Sequence, residues 1–78
     1  MTSTNNFTRE ALVKLGKKVK KRRQELNISQ EEFSSRAGLH RTYISQFELG
    51  LRNPTYTTLN KIAKALDVSL QELLETKV

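Results

Sequence analysis

Cysteine is absent from this 78-residue chain, which excludes disulfides and thiolate metal sites. Histidine occurs once, at His40, and a lone imidazole cannot make a zinc site, so no structural metal is expected. No apolar run approaches the roughly 18 residues that a membrane span requires. The opening MTSTNNFT has neither a basic start nor an apolar core and does not read as a secretory signal. No glycine-rich phosphate loop follows a strand, and the carboxylates are spread over helix starts rather than paired, so no catalytic constellation is present. An enzyme, a cofactor and a small-molecule ligand are therefore not expected. A chain of this length has room for one domain that buries only roughly 60 to 65% of its unfolded surface. Its stability must come from packing or from a second subunit.

Positive charge is what the sequence has in excess. A net charge of +6 and a pI near 10.0 point to a polyanionic partner, nucleic acid or an anionic membrane. Much of that charge lies in Lys14, Lys17, Lys18, Lys20, Lys21, Arg22 and Arg23. The same segment carries Leu12, Leu15, Val19 and Leu26 at intervals of three, four and seven, the spacing of one helix face. With Thr8 as a cap, a first helix is predicted over about Arg9 to Leu26. Its basic run is either a solvated face or a phosphate attractor, the second reading suiting the cluster better than any single lysine. The apolar stripe is too narrow, and lacks a central aromatic, for a membrane-surface helix.

The stretch from Ser29 to Gly50, SQEEFSSRAGLHRTYISQFELG, organises the rest. Ser29 can accept from first-turn amides, and Glu31 and Glu32 sit where the helix dipole favours negative charge, so a short helix is predicted from about Gln30 to Ala37. Gly38 can take a left-handed backbone at no steric cost and ends it. A second short helix should run from about Arg41 to Leu49, closed by Gly50. Phe33 with Ala37, and Ile44 with Phe47, give each helix one inward edge, which leaves Arg41, Thr42, Ser45 and Gln46 pointing out. Two short helices about a glycine turn form a helix-turn-helix, whose second helix fits the DNA major groove.

Beyond Gly50, Pro54 disfavours helix at Asn53, and Thr55 can cap a further helix. Leu59, Ile62, Ala63 and Leu66 stand at i, i+3, i+4 and i+7, an amphipathic fourth helix. Asp67 and Val68 interrupt the pattern, Ser69 caps again, and Leu70, Leu73 and Leu74 make a short fifth helix. Residues 1–7 read as a flexible tail, and 8–78 as a single helix-turn-helix DNA-binding domain that includes a C-terminal dimerisation helix. There is no internal repeat, strand alternation or low-complexity tract. The expected fold is all-α with five helices.

The spacing of Gln30, Gly38, Ile44, Glu48 and Gly50 resembles the helix-turn-helix of Cro/CI-type phage repressors and their Xre-like bacterial relatives. The likeness continues through Arg52-Asn53-Pro54 and the helix from Thr58-Leu59 to Leu66, and so covers about Leu15 to Leu74. It implies a five-helix, lambda-repressor-like domain. Within that family, Arg41-Thr42-Tyr43-Ile44-Ser45 with Arg52-Asn53 is similar to the small controller proteins of restriction-modification systems. The sequence departs from the pattern at Ser34, commonly Ala in the family, whose hydroxyl can fold back onto the preceding turn. The resemblance pairs Glu48 with Arg23 as a partly buried bridge, which would turn a carboxylate away from DNA.

Arg41 opens the second motif helix, and its planar fork matches the two acceptors of guanine; phosphate contact and simple exposure are the alternatives. Thr42 and Gln46, the latter able to pair with adenine, are candidate base readers or merely solvated, and Ser45 is a further candidate. Tyr43 either meets a phosphate or base, as the resemblance favours, or packs half-buried. Gln30, at a helix N-terminus, and His40, before the second helix, are candidate phosphate contacts, as is Lys17. Arg52, Asn53, Thr55 and Thr58 surround the start of the fourth helix and can hold another backbone segment, although Asn53 and Thr55 would serve as turn and cap residues in any case.

Leu59, Ile62, Leu66, Leu70 and Leu73 can supply the core. Leu74 and Val78, with Leu66 or Val68 beside them, then exceed it and form the expected dimer interface. The reading is a homodimeric, sequence-specific transcription regulator binding an inverted-repeat operator. The controller resemblance suggests that it regulates its own gene and an endonuclease gene. The alternatives are an antitoxin, whose neutralising apolar tail Met1 to Asn6 does not supply, and a phage-type repressor. The expected partners are double-stranded DNA, a second copy of the chain and RNA polymerase, with no membrane. A cytoplasmic, nucleoid-associated location is expected.

Overall fold

The computed structural model describes residues 7–75 and contains five helices among them: α1 (Arg9–Glu25), α2 (Gln30–Ala37), α3 (Arg41–Glu48), α4 (Tyr56–Ala65) and α5 (Leu70–Leu74). This is the expected all-α architecture. Most helix starts have a local chemical cause. Thr8, Ser29, Thr55 and Ser69 each turn an oxygen to a first-turn amide, at 2.9 to 3.1 Å. At Ser69 the bond is reciprocal, because Glu72 accepts from the Ser69 amide at 3.0 Å; that backbone bond, with the Ser69 hydroxyl, holds the Glu72 carboxyl below its usual range. Helix α3 starts at His40 without a side-chain cap bond. Helices α1 and α3 each stop one residue short of expectation, since Leu26 and Leu49 are their C-caps.

Helix α1 packs on α3 and α5, α2 on α3 and α4, and α4 on α5. Val19, Phe33, Ile44, Ile62 and Leu66 are fully enclosed where these faces meet. Ile28 and Ala65 join this core although neither stands out in the helical pattern. Phe7, expected in the flexible tail, is half-buried against the core; the remainder of that tail, 1–6, lies outside the described residues. Ser34 is accommodated in the α2 interior by donating to the Glu31 carbonyl at 2.7 Å.

Two glycines let α1 and the end of α3 approach. A Cβ on Gly16 would stand 2.5 Å from the Phe47 carbonyl oxygen, so glycine here exchanges about 1 kcal/mol of helix propensity for close packing. Gly50, at φ +79°, takes the left-handed turn that ends α3 while lying against the Val13 backbone. No helix among the described residues is long and apolar enough to cross a membrane.

Candidate nucleic-acid interface

The position of α3 is set from its inner side. Glu48 is buried and accepts from Arg23 of α1 through both oxygens: Nε to Oε2 at 2.6 Å and Nη2 to Oε1 at 3.0 Å. This fork-to-fork geometry is the strongest form of the Arg–carboxylate bond. Arg23 also donates from Nη1 to the Ile28 carbonyl at 3.0 Å, and Gln30 Nε2 donates to Glu48 Oε1 at 3.0 Å. One carboxylate thus ties α1, the α1–α2 connection, α2 and α3. Among the described residues no buried side-chain nitrogen or oxygen lacks a partner. The Gln30 side chain, a candidate phosphate contact, gives one N–H of its amide to Glu48 while remaining half-buried at the start of α2.

The outer side of α3 is set by the same helical geometry. Thr42 and Gln46 occupy its middle, Arg41 and Ser45 one edge, and Tyr43 the other. Arg41 and Thr42 are exposed, Ser45, Gln46 and Tyr43 half-buried. The Tyr43 ring lies 6.2 Å from the Phe47 ring, and the Arg52 guanidinium stands over it, 5.0 Å from its centroid. Burial pushes the Tyr43 phenol up, opposed by the charge of Arg52 and a hydrogen bond with Thr58, so it remains a hydroxyl at neutral pH. Arg52 further donates from Nε to Gln46 Oε1 at 2.8 Å. Thr55 performs the cap chemistry and donates to the Thr58 hydroxyl at 3.1 Å. Asn53 and His40 are exposed beside these groups. The loop after α3 and the start of α4 also expose Leu49, Leu51 and Tyr56, three apolar or aromatic side chains that the helical pattern does not single out.

The basic run of α1 divides in two. Lys18 donates to the Glu72 and Glu75 carbonyls at 2.6 and 2.7 Å, and Arg22 donates to the Leu66 carbonyl at 3.0 Å. These side chains serve the carbonyl ends of α4 and α5, where positive charge is favourable, rather than an external phosphate. Lys14, Lys17, Lys20 and Lys21 are exposed. Helical spacing places Lys17 and Lys20 towards the Gly16 side of α1, which meets α3, and away from Arg22, which meets α4.

The expected dimer surface needs correction at Leu66, which is fully buried within the monomer and unavailable to a partner. Val68 is half-buried against the same core, Leu74 is 39% exposed, and Val78 lies outside the described residues. Leu74 instead borders a groove of about 490 Å³ between α5 and the start of α1, lined also by Phe7, Ala11, Leu15 and Leu73.

Known proteins share this arrangement of helices. The helix-turn-helix family matches residues 19–73. The control protein C.BamHI of Bacillus amyloliquefaciens is 44% identical over 61 residues, covering 77% of this chain and 75% of that protein. The crystal structure of the restriction-modification controller protein C.AhdI from Aeromonas hydrophila superposes with a TM-score of 0.80 at 36% identity, covering 82% of this chain and 97% of that one. The biofilm regulator SinR in complex with DNA gives a TM-score of 0.74 at 35% identity, covering 78% and 98%.

Removing either side of the buried pair leaves the other charge desolvated. Arg23→Ala and Glu48→Ala are each expected to lose about 3 kcal/mol in urea unfolding, with the double variant losing much less than the sum. Additive losses would show that the pair is not coupled.

Proposed function

This chain belongs to the helix-turn-helix family, and on that basis we propose that it is a homodimeric, sequence-specific DNA-binding transcription regulator of the restriction-modification controller type. The observation that carries the reading is the polarity of α3: its one carboxylate, Glu48, is turned inward onto Arg23, so the exposed face carries Arg41, Thr42 and Gln46 with no acid among them. A helix of that width and charge enters a major groove without repulsion. The chain is not an enzyme; its relatives C.BamHI and C.AhdI are controller proteins.

In this reading Arg41 takes guanine, with Thr42, Ser45, Gln46 and Tyr43 reading neighbouring positions. His40, Asn53, Thr55, Thr58 and Lys17 lie along the flanking backbones, with Arg52 between the two groups, and the exposed lysines of α1 supply a sequence-independent attraction. Leu74, with the groove beside it, is the centre of a self-complementary contact to a second copy. Operation as a dimer on its own gene and on an endonuclease gene, with RNA polymerase as the eventual partner, completes the proposal.

Arg41→Ala is expected to lose about 1 to 3 kcal/mol of specific binding and to flatten preference at one base position, whereas Lys17→Ala should weaken all duplexes alike and reduce the salt slope by about 1. Competition binding at two salt concentrations separates them, and an equal loss on every duplex for Arg41→Ala would remove it as a base reader. For the dimer, Leu74→Glu should sediment as a folded monomer with weakened operator binding. A Leu74→Glu protein that stays dimeric places the interface elsewhere.

A further inference from the structure

The hydrogen-bonding polarity of Gln46 is fixed by Arg52. A guanidinium has donors only, so the atom of the Gln46 amide that faces Arg52 Nε at 2.8 Å is the oxygen. The two N–H groups of the amide are thereby directed away from Arg52. Arg52 is itself held, because its guanidinium lies 5.0 Å over the Tyr43 ring. That ring is fixed by Phe47 on its own helix and by Thr58 of α4, whose hydroxyl is in turn bonded to the capping Thr55. A chain of contacts from the start of α4 thus ends on one amide of α3.

This orientation restricts which base the amide can read. A free carboxamide pairs with adenine by using both of its faces, accepting from N6 and donating to N7. The Arg52 bond takes one of the two lone pairs of that oxygen and draws the oxygen to its own side, so the NH2 group is what the Gln46 amide presents away from Arg52. Adenine would meet it with an amino donor at N6, whereas guanine presents two adjacent acceptors, O6 and N7. We propose that Gln46, oriented by Arg52, reads guanine and rejects adenine, with Arg52 acting as a positioning residue for specificity. The proposal rests on the reading of α3 as the helix that enters the major groove.

The test is competition binding of duplexes varied one base pair at a time, using the full chain and the variants Gln46→Ala, Arg52→Ala and both together. Gln46→Ala identifies the position that Gln46 reads by flattening preference there. At that position the unaltered protein should favour guanine, and Arg52→Ala should shift the guanine-to-adenine ratio towards adenine by about tenfold. In the Gln46→Ala background the Arg52 substitution should produce no shift at that position, which separates positioning from any contact of Arg52 with DNA. The proposal is overturned if the unaltered protein favours adenine there, or if Arg52→Ala weakens every duplex equally. It is also overturned if Gln46→Ala flattens no position while Arg41→Ala does, an outcome that leaves α3 as the reading helix. If neither variant changes any preference, the DNA-reading role of α3 itself fails.

Discussion

The disposition of α3 depends on where its single carboxylate goes. Burying a charge is costly unless it is paired and its remaining hydrogen-bond positions are filled. Glu48 meets that condition in one arrangement, with both oxygens on the Arg23 fork and a further bond from Gln30. Because these partners come from α1 and α2, satisfying the charge fixes the mutual position of three helices. The close approach at Gly16 and the left-handed turn at Gly50 then bring the end of α3 against α1. A buried pair of this kind adds little net stability over an apolar replacement of the same shape. What it contributes is orientation, since the face opposite Glu48 is left free of negative charge.

A similar division of labour runs through the basic residues. Net charge describes a long-range attraction to polyanions, but it does not say which cations are free to act. Lys18 and Arg22 reach backbone carbonyls at the ends of α5 and α4, and Arg23 neutralises Glu48. These cations hold the domain together, while Lys14, Lys17, Lys20 and Lys21 remain on the surface. The two sets alternate along α1 because the helix turns about 100° per residue, so neighbours in sequence face different surroundings. Arg52 combines the two roles, stacked on Tyr43 and bonded to Gln46 while remaining exposed beside α3.

Elements whose causes are local are legible in the sequence. Ser29 with Glu31 and Glu32, the glycine stops at Gly38 and Gly50, and the caps at Thr8, Thr55 and Ser69 all act within a turn of their own position. Helix α2 accordingly has the expected bounds. Depth is less legible. Periodicity assigns Leu66 to the right helix face but leaves it among the surplus residues, whereas the chain closes over it through the turn at Asp67, which has φ 58°. Contacts between distant positions are harder still. The bonds from Lys18 to Glu72 and from Gln30 to Glu48 join residues that no helical spacing brings together. Gly16 does leave a signal, a glycine beside the buried face of a long helix, and close packing is the physical reason to place one there.

Two copies of α3, each held by its inward Glu48 and related by a two-fold axis, would read two equal half-sites. Selection of bound duplexes from a random pool tests this arrangement most directly. It should enrich an inverted repeat whose half-site centres lie about 34 Å, or one DNA turn, apart. Enrichment of no motif, or of a single unpaired half-site, would contradict it.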